Sequence, residues 1–275
     1  MELQGFVQMK DRDFDKLSEF IYSKYGIKIP IAKKILLETR LQKRLRALGI
    51  NCFKEYLNKV IHDKEEEETR RMIEQVSTNT TDFFRERDHF EFLKKEILPK
   101  WKEREQMKIW SAATSSGEEA YSIAITIQEF NSLKNIVIPY EITATDISEK
   151  ILKQGASGTY SYDRVSALPH EILKKYFLKS HDKKYVKVVK EIRNKITFAR
   201  HNLMDQIYPK GKRFDIIFCR NVLIYFDRET QRKVITKLYE RLEPGGYLFL
   251  GHSESIFGMN LPLIQKAHTT YQKSI

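Results

Sequence analysis

Lys108-Ile109-Trp110-Ser111-Ala112-Ala113-Thr114-Ser115-Ser116-Gly117-Glu118-Glu119-Ala120-Tyr121 decides the fold of this chain. The stretch starts apolar and passes through small residues. It then opens into apolar positions at Tyr121, Ile123, Ala124, Ile127 and Phe130, the spacing of a helix. Strand, small-residue turn and helix, in that order, form the opening unit of a nucleotide-binding α/β sheet. Small residues let a ligand approach the backbone, and the helix N-terminus offers unpaired N–H groups. Only one glycine is present, so the G-x-G-x-x-G pattern of a dinucleotide site is absent. Two glutamates in the first helical turn favour the helix dipole and repel a pyrophosphate. A ligand without phosphates, carrying ribose hydroxyls and a positive centre, fits better. S-adenosylmethionine (SAM) is such a ligand.

Downstream, strand and helix alternate. Tyr140 to Thr145 reads as a strand ending at Asp146, and Ile147 to Gly155 as a helix. Residues 165 to 178 are helical in pattern, while Lys184 to Val189 and Ile196 to Ala199 are β-like. Phe214 to Cys219 is almost continuously apolar, as a parallel strand buried on both faces requires. Arg228 to Leu242 is an amphipathic helix stopped by Pro244-Gly245-Gly246, and Tyr247 to Leu250 is a further strand before Gly251-His252-Ser253. The alternation predicts a doubly wound sheet with its site at the carboxyl ends of the strands.

Upstream, residues 1 to about 75 read as a separate helical domain, leaving 76–275 for the α/β domain. Asp13 to Tyr25 places Phe14, Leu17, Phe20 and Ile21 on one face. From Ile31 to Leu48 a longer helix buries Leu37, Leu41, Leu45 and Leu48. Its other face carries Lys33, Lys34, Arg40, Lys43, Arg44 and Arg46 against Glu38 alone, either a solvated surface or a docking face for an acidic partner. The acidic run Glu65 to Glu68 reads as a solvated helix start or linker.

The chain has 275 residues, 41% hydrophobic and 12% aromatic, which predicts a globular protein with a substantial core. A formal net charge of +12 points to an acidic partner, whether nucleic acid, anionic membrane or protein. No apolar leader or membrane-length run is visible. Two cysteines, far apart, fit reduced thiols in a cytoplasm, and no Cys/His cluster has metal-ligand spacing, so no metal is expected.

Several residues stand where chemistry is expected. Asp146, at a strand end, suits hydrogen bonds from ribose hydroxyls, with capping of the next helix as its other use. Ser77-Thr78-Asn79-Thr80-Thr81-Asp82 is either a helix cap or a polar loop across a ligand, with Arg85 pointing into the site. Arg220 and Asn221 follow the buried strand directly, and Tyr225 lies four residues after Asn221, one helical turn away. Tyr225 and Phe226 also fit as core aromatics. His201-Asn202-Leu203 ends the preceding strand and can face an adenine; His252 ends another strand, where a lone histidine is usually structural.

Taken together, five motifs resemble one family. Asn79-Thr80-Thr81-Asp82-Phe83-Phe84-Arg85, Trp110-Ser111-Ala112-Ala113 with Ser116-Gly117-Glu118-Glu119, Ala144-Thr145-Asp146-Ile147, Phe218 through Phe226, and Gly251-His252-Ser253-Glu254 occur in that order. The chain is similar, over nearly its whole length, to the chemotaxis receptor glutamate methyltransferases (the CheR family). The resemblance implies a small N-terminal all-helical domain and a Rossmann-like SAM-dependent methyltransferase domain with an inserted small antiparallel β subdomain, here expected near residues 180 to 200. It implies methyl esters formed on glutamates of the acidic helical bundle in the cytoplasmic domain of chemoreceptors, with S-adenosyl-L-homocysteine (SAH) as product. By position, Asn79, Thr81, Arg85, Glu119, Asp146, Asn202, Leu203, Arg220 and Asn221 would line the cofactor. Arg85 and Tyr225 would lie nearest the reacting centre, and Arg40, Lys43, Arg44 and Arg46 would read receptor helices. Lys43 stands where relatives can have arginine. The Lys179 to Lys184 loop is shorter than in members that grip a receptor tail. No nucleic acid partner, no membrane insertion, a cytoplasmic location and a monomer are expected. A glutamate side chain, with pKa about 4.3, is already ionised at neutral pH, so no general base is needed. An RNA methyltransferase and a non-catalytic SAM-sensing module are the alternatives from other classes.

Overall fold

The computed structural model describes residues 6–64, 66–101, 105–206 and 213–274. Four helices come first: α1 (Asp11–Tyr25), α2 (Lys34–Leu48), α3 (Phe53–Ile61) and α4 (Glu67–Val76). Phe14, Leu17 and Ile21 of α1 meet Leu37, Leu41 and Leu45 of α2, with Tyr56, Met72 and Ile73 closing one apolar cluster. Glycines in the left-handed conformation, Gly26 and Gly49, stop α1 and α2, where a side chain would be strained. Leu48, expected in the buried stripe, is only half-buried.

After α5 (Arg87–Phe92) the chain builds the sheet. In order come β1 (Met107–Ala112), α6 (Glu118–Lys134), β2 (Tyr140–Asp146), α7 (Glu149–Ser157), β3 (Thr159–Ser161), α8 (His170–Tyr176), β4 (Phe177–Lys179), β5 (Tyr185–Val188), α9 (Lys190–Arg193) and β6 (Ile196–Arg200). Then follow β7 (Phe214–Cys219), α10 (Arg228–Arg241), β8 (Leu242–Leu250), β9 (Leu263–Ala267) and β10 (Thr270–Lys273). The main sheet has seven strands in the order β6-β2-β1-β7-β8-β10-β9. The first five are parallel, and β10 and β9 close the edge antiparallel. One apolar cluster packs α6 against one face, and a second packs α10 against the other. β1 leads outward to β2 and β6, and β7 restarts on its other side. The switch point therefore lies between the ends of β1 and β7, where Ala112 pairs with Cys219.

The small antiparallel sheet lies elsewhere than expected. Its strands are β3, β5 and β4, spanning residues 159 to 188, with β5 in the centre. Ile196–Arg200 belongs to the main sheet, in parallel register with β2. A β-like run of four or five residues has no signal for which sheet it joins. Ile196 pairs with Ile142, and that pairing is long-range. The helix expected over 165 to 178 is confined to α8 because Phe177 enters β4. The hairpin of β9 and β10 was not visible in the sequence. Residues of β9 are mostly exposed, so the strand lacks a buried-face pattern.

Candidate active site

The carboxyl ends of β1, β2 and β7 open into one cleft enclosing about 1080 Å³, its open mouth included. That is room for a nucleoside-sized ligand. Asn79, Thr81, Arg85, Glu119, Asp146, Asn202, Leu203, Arg220, Asn221 and Tyr225 all line it, from five separate stretches of chain. The Ser77–Asp82 segment caps no helix N-terminus; Ser77 instead ends α4, its backbone N–H donating to the Ile73 carbonyl. The segment is an irregular loop lying along the cleft, and α5 begins only at Arg87.

Asp146 is buried, and its two oxygens accept the backbone N–H groups of Ser115 (2.9 Å) and Ser148 (3.0 Å). Capping of α7 falls to Ser148, whose hydroxyl accepts from Ile151. Burial pushes the Asp146 carboxyl above its ordinary pKa, against the backbone hydrogen bonds that favour its charge. Glu119 accepts the Ser111 hydroxyl (2.6 Å) and faces the Arg220 guanidinium at 3.3 Å. Burial raises its pKa as well, and Arg220 only partly offsets this. Both acids stand ready for hydrogen-bond donors or positive charge.

Arg220 and Asn221 line the cleft, but their side chains first serve Glu86. The Arg220 guanidinium is almost fully buried and lies 2.9 Å from Glu86 Oε2, while Asn221 Nδ2 donates to Glu86 Oε1 at 3.0 Å. Burial alone would push the Glu86 carboxyl up. Asn221, Arg220 and the His252 backbone N–H outweigh it and hold the pKa at about 2. Glu254 fastens the same corner: its carboxylate accepts the N–H groups of Asn221, Leu223 and Gly251. Gly251 is required there, since a Cβ would stand 2.6 Å from Asn221 Nδ2. Neither Glu86 nor Glu254 was singled out from sequence, although Glu254 lies inside a quoted motif and Glu86 directly follows another.

Asn202 ties the two domains, donating from Nδ2 to the Lys24 carbonyl at the end of α1 (2.9 Å). Leu203 is buried against the cleft. Arg85 is exposed at the rim and donates to the Thr80 carbonyl (3.0 Å). Tyr225 is half-buried in a single 3-10 turn, Leu223–Tyr225, rather than an α-helical turn. The buried hydroxyl oxygens of Tyr25, Ser77 and Thr114 line the cleft without hydrogen-bond partners among the described residues. A ligand rich in hydroxyl and amine groups satisfies such oxygens, so the residues present fit SAM.

The basic helix is less uniform than its composition suggests. Lys43 and Arg46 are exposed. Arg44 instead turns inward, donating to both oxygens of the buried Glu68 (2.9 and 2.6 Å), which also accepts the Tyr56 hydroxyl. Arg44 is thereby a structural pair and not a free docking charge, and Glu68 is core rather than solvated linker. Glu65, the start of that acidic run, lies outside the described residues. Arg40 also turns back, to the Val76 carbonyl and the Thr78 hydroxyl. His252 meets Asp88 at 3.0 Å, so its role is a surface pair. His89 and His268 stand beside it, and with Glu86 and Asp88 they make two groupings of metal-ligating type that sequence spacing did not show.

Two family matches divide the chain. Residues 12–77 match "CheR methyltransferase, all-alpha domain", and residues 79–272 match "CheR methyltransferase, SAM binding domain". A chemotaxis protein methyltransferase of Borreliella burgdorferi is 39% identical over 270 residues, covering 95% of this chain and 94% of the relative. One from Escherichia coli is 34% identical over 277 residues, covering 100% of this chain and 95% of the relative. Among solved structures, the N-methyltransferase NodS of Bradyrhizobium japonicum in complex with SAH is 16% identical, with a TM-score of 0.35 over 60% of each chain.

Proposed function

We propose, because the chain belongs to the CheR methyltransferase family and carries that family's SAM-binding domain, that this chemotaxis methyltransferase esterifies glutamate side chains on the cytoplasmic helical bundle of chemoreceptors. The observation that carries the proposal is the position of Tyr225. It lines the cofactor cleft and also a shallow groove bounded by Ile27, Lys28, Lys33, Leu36 and Arg40, which leads to the basic face of α2. An acidic helix lying on α2 thus presents a side chain to the cleft along a short path with cations at its rim. Acting on a cytoplasmic bundle, the protein would itself be cytoplasmic.

When bound, SAM supplies a methyl group on a positively charged sulfonium. The acceptor carboxylate is already ionised, so what the chain must supply is alignment and exclusion of water. Asp146 and Glu119 provide acceptors for cofactor donors, and the loop carrying Asn79 and Thr81 closes one side. Arg85, at the rim, steers the incoming carboxylate. It must not hold the nucleophile more tightly than the transition state, or it would slow the reaction. The Tyr225 hydroxyl orients a carboxylate oxygen.

The decisive experiment incubates labelled SAM with membranes carrying a chemoreceptor, with and without this protein. Base-labile label in the receptor band is the expected result. Tight SAH binding without any receptor label would overturn the receptor as substrate and favour a SAM-sensing role.

A further inference from the structure

The segment from Val76 to Asp82 borders the cleft along its full length and carries Asn79 and Thr81. Beyond the end of α4 it has no regular secondary structure, so no ladder of backbone hydrogen bonds fixes its shape. Side chains from three other places do so instead. At its start, Arg40 of α2 donates to the Val76 carbonyl and, at 3.2 Å, to the Thr78 hydroxyl. At its middle, the Ser115 hydroxyl donates to the Asn79 carbonyl (3.1 Å). At its end, Arg164 donates to the Thr81 carbonyl and lies 3.5 Å from Asp82.

Arg164 comes from the 3-10 turn Tyr162–Arg164, directly after β3 of the small sheet. Its guanidinium is held in turn by Glu118 Oε1 at 2.6 Å. Glu118 is fully buried, and its other oxygen accepts the Ser116 hydroxyl at 2.6 Å. The loop end is therefore tied to a fixed post inside the molecule, and the loop start to a helix of the other domain. In both cases a planar guanidinium reaches two or more acceptors at once, which an ammonium cannot do in the same geometry.

We infer that Arg40 and Arg164 are positioning residues, which hold the two ends of the 76–82 loop in its cofactor-binding shape without touching the cofactor. A loop left free must be ordered when the ligand binds, and that ordering cost weakens binding. SAM affinity therefore depends on two arginines, one supplied by α2 and one by the 3-10 turn that follows β3. Arg40 acts inward, on the loop, and not outward on a receptor.

The test is SAH binding measured by calorimetry on the full chain with no receptor present, for Arg40→Ala, Arg164→Ala and the lysine variants. Each alanine variant is expected to lose about tenfold in SAH affinity, the effect of one or two hydrogen bonds. Each lysine variant should recover part of that loss and serves where an alanine variant fails to fold. Amide exchange at residues 77–83 should quicken in both alanine variants, with α6 unchanged, which general destabilisation would not produce. Wild-type SAH affinity in Arg164→Ala or Arg164→Lys would overturn the role of Arg164. Wild-type SAH affinity in Arg40→Ala together with a raised receptor KM would return Arg40 to direct partner recognition. The inference rests on SAM occupying this cleft, which Asp146→Asn checks separately. If that variant binds SAH like the wild type, the cleft is not the cofactor site and the inference falls with it. Silent arginine variants beside a weakened Asp146→Asn leave the cleft standing and remove only the pinning.

Discussion

Arg85 and Tyr225 line one cleft, brought there by a loop after α4 and a 3-10 turn after β7. Neither side chain is buried, so replacing them removes little packing. Arg85→Ala and Tyr225→Phe should melt like the wild type yet lose methyl transfer; wild-type turnover in either would remove that residue from the chemistry. Proton linkage gives a second check. Burial raises the pKa of Asp146 and Glu119, so the free site still holds protons at pH values where ordinary carboxyls have lost them. In that window the free protein loses stability as pH rises, because the buried acids must ionise while the unfolded chain has already done so. Ligand donors and positive charge favour the ionised form, so SAM binding should release protons, and affinity should fall as pH drops through the raised values. Calorimetry in buffers of different ionisation enthalpy reads the release directly. Zero proton release across that window would show that these carboxylates do not meet the ligand.

At the scale of elements, α2 is divided between two tasks. Lys43 and Arg46 face solvent, whereas Arg44 is bidentate on Glu68, a partner 24 residues away on α4. Removing one member of a buried pair leaves the other uncompensated, so Arg44→Ala should cost roughly 3 kcal/mol of stability. A denaturant melt measures it, and SAH affinity per folded molecule should be unchanged. A composition of mostly basic residues on a helix shows that a face is charged. It does not show which charges a second helix will neutralise. The same limit applies to the corner where Arg220 meets Glu86, 134 residues away. That Arg220 borders the site followed from its place after a buried strand, but its service to Glu86 and Glu119 depends on a long-range approach. The small sheet is the third case. Strands of three or four residues carry too little pattern to reveal their pairing, so β3 and β4 have no strand signal, and the 180–200 span expected for the small sheet takes in Ile196–Ala199, which pairs with β2 in the main sheet instead.

For the whole molecule, the formal charge of +12 is a long-range attraction for an acidic partner, to which the exposed Lys43 and Arg46 of α2 contribute. Exposed charges are screened over about 8 Å at physiological ionic strength. Receptor KM should therefore rise with salt while SAH affinity, set inside the cleft, stays nearly constant. Lys43→Ala and Arg46→Ala should each raise receptor KM by about threefold, the effect of one exposed charge, with SAH affinity intact. A salt-insensitive KM would mean that α2 does not carry the encounter. Local patterning in the sequence specifies the doubly wound sheet, because Ile109–Ala112, Ile142–Ala144 and Phe214–Cys219 are largely buried runs separated by helical periodicity. It also placed the cleft, since residues following parallel strands must gather at the switch point. Which arginines turn inward, which sheet each short strand joins and how Glu86 and Glu254 brace the site are visible in the folded protein alone. Those outcomes depend on partners brought together from distant parts of the chain, where burial and pairing, and not local spacing, set the energy.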